Sequence, residues 1–366
     1  MAKYDVAAYV WPAYTGDEKR ARIFWEEGIG EWQTVKNSAP KDNGYFWNRK
    51  PLWGYLNEAD PKVMEMHIKE ATEHGVNVFI YDWYWYDRAP FLENCLNDGF
   101  LGARNCGDMR FYLMWANHDV NLTWDKRNAG AVDATIWKGA VDFAEFKKIG
   151  KRWIENYFTK ENYYKLDNKP VVSIYDLNNF ISGLGGTDGA RMAMEWLREE
   201  AARAGLGGVH FQFVRWNGNS TNESGVDGGA KKTEAGLVEM LGFDSLTHYQ
   251  FAHFTKMARD YREILEDAKA EWRRAADEYE IPYFPHVSVG WDNNPRFKHY
   301  KTNVTQNNTP ENFEVALREA KAFADAAGVS LITVNSWNEW TETSYLMPDD
   351  LYGYGYLNAV KRVFKE

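Results

Sequence analysis

Residues 61–86 read PKVMEMHIKEATEHGVNVFIYDWYWY. Asp60 can cap a helix and Pro61 can open it, since proline lacks only an N–H that the first turn leaves unpaired. Apolar residues then recur at three- and four-residue intervals through His74, and Gly75 supplies the left-handed residue that ends the run. Val76 to Trp83 follows at once as a stretch of β-branched and aromatic side chains, the pattern of a strand buried on both faces. A capped helix that stops against a buried strand is one link of an alternating α/β chain.

The same alternation extends in both directions. Candidate strands are 4–11, 76–83, 109–116, 170–176, 208–215, 243–248, 282–289 and 330–337. Candidate helices are 61–74, 141–158, 190–204, 231–241, 256–279 and 310–327, several ended by glycine (Gly75, Gly205, Gly328) and one opened by Thr309-Pro310. Eight such strands predict one α/β domain over residues 1–366, a (β/α)₈ barrel with a long loop after its first strand, from 12 to 59. No GxGxxG follows the first strand and no GxxxxGK[ST] occurs in the chain, so nucleotide-binding sheets lose their main sequence support.

Composition narrows the partner class. Lys and Arg number 43 against 53 Asp and Glu, a net charge of −10, which is the wrong sign for neutralising phosphates, so no nucleic-acid partner is expected. No run approaches the roughly 20 apolar residues that span a bilayer, and no signal-peptide pattern opens the chain as given. The compartment and the oligomeric state stay open. Cys95 and Cys106, the two cysteines, read as ordinary thiols, and neither His118 nor His248 sits in an HxH or HExxH spacing, so no metal or other cofactor is expected. Seventeen Trp, 22 Tyr and 20 Phe make 16% aromatics, a surplus suited to stacking on something flat and hydroxylated.

Parallel barrels place their chemistry at the C-terminal ends of strands. There the sequence sets Trp11 and Tyr14; Asp82, Tyr84 and Trp85; Trp115, Asn117 and His118; Tyr175 and Asp176; Arg215; His248 and Tyr249; Trp291 and Asp292; and Asn338, Glu339, Glu342 and Tyr345. Tryptophans and tyrosines can stack on sugar rings while carboxyls and amides bind hydroxyls, so an oligo- or polysaccharide is the expected partner. The aspartates have a plainer use, capping loops or pairing with an arginine such as Arg296. Glu339 and Glu342 carry the sharpest expectation. If the segment coils, their three-residue spacing brings both carboxyls to one side, and burial among aromatics raises the pKa of whichever lacks a cation.

These pieces resemble the glycoside hydrolase family 99-like proteins. The resemblance rests on Val334-Asn335-Ser336-Trp337-Asn338-Glu339-Trp340-Thr341-Glu342, on Gly28-Ile29-Gly30-Glu31-Trp32, on Trp115-Ala116-Asn117 and on Gly290-Trp291-Asp292-Asn293-Asn294-Pro295-Arg296. It implies a (β/α)₈ barrel and retaining, endo-acting hydrolysis of α-mannosides, and it adds Glu31 to the substrate-binding set. By the same resemblance Glu339 is the base that deprotonates a sugar 2-hydroxyl, giving a 1,2-anhydro sugar, and Glu342 is the general acid/base. The chain departs from the pattern in reading Thr341-Glu342-Thr343 where the characterised enzymes read His-Glu-Gly, which keeps the carboxylates but not the mannose specificity. Two other readings stand beside hydrolysis: a polysaccharide-cluster glycosyltransferase, a label the broader branch carries, and a non-catalytic glycan-binding barrel.

Overall fold

The structure, a computed structural model, describes residues 3–124, 134–216 and 233–366. Its parallel strands are β1 (Asp5–Val10), β2 (Val78–Tyr86), β3 (Arg110–Trp115), β4 (Lys169–Ile174), β5 (His210–Arg215), β6 (Ser245–His248), β7 (His286–Ser288) and β8 (Leu331–Asn335). They pair in the order β6-β5-β4-β3-β2-β1-β8-β7. The sheet curls until its two edge strands meet, and a single bridge between Leu246 and Tyr283 spans the seam. Two backbone bonds make that bridge, from Leu246 N–H to Pro282 O at 3.0 Å and from Phe284 N–H to Leu246 O at 2.9 Å. The expected barrel is thus present and nearly closed.

Between the strands lie α1 (Pro61–Glu73), α2 (Phe143–Trp153), α3 (Thr187–Arg203), α4 (Glu234–Leu241), α5 (Tyr261–Glu278) and α6 (Pro310–Ala327). The caps are those the local sequence dictates. Asp60 and Thr309 accept from the first turns of α1 and α6, and Gly328 takes a left-handed φ of 69° to end α6.

Boundaries differ where non-local partners intervene. β2 runs three residues past its expected end because Tyr84, Trp85 and Tyr86 pair with the antiparallel strand Ala89–Phe91. β7 is short, since Pro282 and Pro285 have no N–H to donate to a ladder. The helix expected from 256 begins at Tyr261, because Ala258 has a φ of 62° and Asp260 forms the cap. A wide π turn over Ile154–Phe158 continues α2, and the expected helix start at Lys231 lies outside the described residues. A last helix, α7 (Gly355–Phe364), was not expected; it packs on α6 through Tyr356 and Phe313, with ring centroids 5.6 Å apart.

The barrel interior is polar as well as packed. Thr247, Thr333 and His286 are linked at 2.8 and 2.9 Å, and Gln212 joins Ser173 and Tyr112 at 2.8 and 3.1 Å. Buried polar groups pair with one another here, as they must away from water. This network is the floor beneath the strand ends.

Candidate active site

Beyond β8 the chain makes a tight hairpin. Asn338–Glu339 pairs antiparallel with Ser344–Tyr345 around a single 3₁₀ turn, Trp340–Glu342, closed by Thr343 in the left-handed region at φ 56°. Residues three apart eclipse in a 3₁₀ turn, so the Glu339 and Glu342 side chains emerge on one side. The hairpin is held from several directions. Ser336 Oγ accepts the Glu339 N–H at 2.7 Å, the Tyr14 hydroxyl accepts the Trp340 N–H at 3.1 Å, and Asp292 N–H donates to Glu342 O at 2.7 Å.

Arg296, just after β7, reaches across both acids. Its Nη2 lies 2.7 Å from Glu339 and its Nη1 2.6 Å from Glu342, while Nε lies 3.3 Å from Glu31. Glu31 is fully buried and also accepts from Trp11 Nε1 at 2.6 Å. The first loop can bring Glu31 so close because Gly30 has a φ of 60° and sits against Ala13 O, where a Cβ would stand 1.9 Å away.

Tyr249, after β6, joins a further carboxyl to the pair. Its phenol lies 2.9 Å from Asp82 Oδ2 and 3.2 Å from Glu339 Oε2, so one proton serves two acids. Asp82 Oδ1 is buried without a partner. Together these residues form one wall of an open cleft. Trp11, Tyr84, Met114, Ala116, His118, Trp124, Tyr175 and His253 form the rest.

The cleft's electrostatics follow from burial and crowding. Desolvation, then repulsion from Glu342, pushes Glu339 well above the ordinary carboxyl range, against the pull of Arg296. Glu342 is raised by burial too, with Arg296 opposing. Burial likewise raises Asp82 although the Tyr249 bond opposes it. Burial pulls His118 down and takes His253 to about 3, so both imidazoles are neutral. Arg296 stays protonated: burial works against its charge, but Glu31, Glu342 and Glu339 more than offset it. Acids of raised pKa beside a fixed cation can exchange protons with a bound substrate near neutral pH.

Of the expected site residues, Trp11, Asp82, Tyr84, His118, Tyr175, Tyr249, Glu339 and Glu342 line this cleft. Tyr14 and Glu31 stand behind it. Asn338 is a staple, exchanging bonds of 2.8 and 2.9 Å with the Trp11 backbone and donating to Glu58 at 2.8 Å. Tyr345 stacks on Trp340 at 3.9 Å and donates to Asp349, so it supports the hairpin from below.

The structure places the remaining expected residues outside this cleft. Trp85 points to the opposite side of β2 from Tyr84 and donates to Glu145 on α2 at 3.0 Å. Trp115 is buried against Phe146, Trp153 and Phe180. Asn117 and Asp176 tie two loops together, Asp176 capping the short helix Leu177–Gly183 and lining an adjoining depression with Trp216. Arg215 pairs with Glu234 and Glu271, and His248 faces Tyr283 and Glu271, both on the outer side of the barrel. Asp292 is taken up by Tyr45 and Asn294, and half-buried Trp291 does not line the cleft.

Arg296, Trp124, His253 and Met114 were missed as cleft residues. Arg296 alone had a visible signal, a cation in the strand-seven segment, and its partners prove to be glutamates rather than aspartates. Among the described residues no group of acids, histidines and cysteines has the spacing to hold a metal, and no helix is long and apolar enough to cross a membrane.

Comparison with known proteins fits this architecture. A glycoside hydrolase-like protein superposes with a TM-score of 0.61 at 14% identity, covering 100% of this chain and 94% of that one. The GH99 endo-α-mannosidase from Bacteroides thetaiotaomicron, in complex with bis-tris-propane, also gives 0.61 at 14% identity over 100% and 97%. At such identity the likeness is one of fold. Two Xanthomonas campestris pv. campestris proteins, from strains ATCC 33913 and B100 and each called uncharacterized protein WxcX, are 24% identical over 344 residues, 93% of this chain. The chain spans about half the length of these curated relatives, 46%. The family model described as Glycosyltransferase WbsX matches residues 6–360, nearly the whole barrel with its acid-bearing hairpin, and the chain belongs to that family.

Proposed function

We propose that the cleft hydrolyses α-linked glycans within the chain, with retention, and that residues 1–366 act as one catalytic unit. The observation that carries this reading is the pair Glu339 and Glu342, both held by Arg296 and open to a cleft walled by Trp11, Tyr84, Trp124, Tyr175 and Tyr249. Aromatic faces can stack on the apolar faces of sugar rings, and two carboxyls on one side can handle both proton transfers of acetal cleavage.

Glu342 gives its proton to the leaving oxygen and afterwards takes one from water. Glu339 withdraws the proton of the sugar 2-hydroxyl, whose oxygen closes on C1. Arg296 opposes the burial that raises Glu339, which favours the ionised form this role requires. Water then adds to C1 of the 1,2-anhydro sugar as the C1–O2 bond breaks, and Glu339 returns its proton to O2, restoring the 2-hydroxyl and the anomeric configuration. This route needs the 2-hydroxyl trans to the leaving group, as in an α-mannoside.

Incubation with a panel of α-mannans and other bacterial glycans, followed by NMR of the earliest anomeric product, tests substrate and stereochemistry together. Glu339→Gln and Glu342→Gln are each expected to lower kcat by about 10²–10⁴-fold, the usual worth of positioned acid–base groups. Full activity in both variants would remove the assigned roles. The family's description favours a second reading, glycosyl transfer. Product formation only with added nucleotide sugar would establish it over hydrolysis.

A further inference from the structure

The charge of the cleft is lopsided in a way that bond cleavage does not require. Among the described residues lining it, Arg296 is the one permanent cation, set against Asp82, Glu339 and Glu342. Each of its three nitrogens already has a carboxylate, and the third of these belongs to Glu31. Glu31 does not line the cleft. Its oxygens face Arg296, Trp11 and Tyr14, at 3.3, 2.6 and 3.4 Å, from a fully buried position. Glu31 takes up the guanidinium from behind, so Arg296 offers no free charge to an entering anion, whichever of Glu339 and Glu342 holds a proton. The cleft histidines do not redress this, because burial keeps both neutral. In the adjoining depression Lys138 is already paired with Asp119 at 2.7 Å.

An anion entering such a cleft finds its one cation occupied and must shed water beside buried acids, which penalises it through desolvation. We infer that the cleft accepts uncharged sugars and rejects carboxylated and phosphorylated ones, glycosyl nucleotides among them, and that Glu31 is the specificity-determining residue because it quenches Arg296 from behind. The inference rests on this cleft being the glycan site proposed above.

The test reads binding without turnover, through the fluorescence of the cleft tryptophans Trp11 and Trp124. The full chain and its Glu31→Gln variant are titrated with inorganic phosphate, with UDP, and with linear mannooligosaccharides in neutral form and after oxidation to uronates at C6. Glutamine keeps the shape and an acceptor for Trp11 while removing one charge. The unaltered protein is expected to bind the neutral oligosaccharides about tenfold or more tighter than the uronates, and to give no saturable response to millimolar phosphate or UDP. Glu31→Gln is expected to gain a saturable phosphate response and to narrow the neutral-to-uronate ratio about tenfold. Saturable binding of phosphate, UDP or uronate by the unaltered protein, as tight as the neutral sugar, overturns the inference even if the variant fails to fold. An unchanged ratio in a folded variant overturns the role of Glu31. Failure to bind or cleave any neutral glycan counts instead against the hydrolytic reading, so the two claims fail separately.

Discussion

Arg296 joins three acids that would repel one another without it. Its guanidinium lowers the pKa of both Glu339 and Glu342 against the pull of burial, so removing it must raise both. For Arg296→Gln, the acid limb of the kcat/KM profile is therefore expected to move to higher pH, because more alkali is needed to ionise the base. The same change strands buried carboxyls, and breaking such a pair typically costs about 3–5 kcal/mol, readable in a urea titration. A profile with an unmoved acid limb in a folded variant would show that the clamp does not set the protonation of the pair. At this scale the sequence was readable where the geometry is local. Glu339 and Glu342 stand three residues apart on one turn, and their common side follows from that alone. Arg296 arrives from another strand end, and no local spacing announces which acids it will meet. Arg215 and His248 misled for a related reason: the end of a strand does not fix whether a side chain turns inward to the cleft or outward to the helices.

The acid-bearing hairpin is anchored to the first loop at several points, through Tyr14, Trp47 and above all Asn338. Asn338 bonds the Trp11 backbone on both sides and donates to Glu58, which also accepts from Cys95. Burial pushes Glu58 up to about 8, with those two hydrogen bonds opposing. A carboxyl raised in the folded state binds a proton that the unfolded chain lacks. Its contribution to stability is complete below the unfolded value of about 4.3 and is lost as pH climbs through about 8. Unfolding midpoints in urea at acid, neutral and mildly alkaline pH are expected to fall across that window in the unaltered protein and to stay flatter in Glu58→Gln. Equal slopes would mean that Glu58 ionises normally in the fold. Elements announced by punctuation were legible, as α6 was between Thr309-Pro310 and Gly328. Elements made by pairing were not. The extension of β2 depends on a partner strand beyond a turn at Asp87 and Arg88, both at positive φ without a glycine to signal it.

Over the whole molecule, eight strands converge on one rim, and the aromatic surplus is divided between that rim and the packing behind it. Trp11, Tyr84, Trp124, Tyr175 and Tyr249 face the cleft, whereas Trp83, Trp115 and Trp153 pack against one another or their neighbours behind the strands. The ring of strands is not uniformly fastened. Neighbouring strands share ladders of three to six registered residues, whereas among the described residues the backbones of β6 and of the segment leading into β7 pair at the Leu246–Tyr283 bridge alone. Protection against amide exchange tracks the free energy of local opening, so the seam is where the barrel breathes first. In deuterated buffer, the amides of Leu246 and Phe284 are expected to exchange before those of β1 and β2, and equal protection around the ring would contradict this. β7 runs directly into the segment that carries Arg296, so each excursion of the seam would briefly loosen the grip on both glutamates.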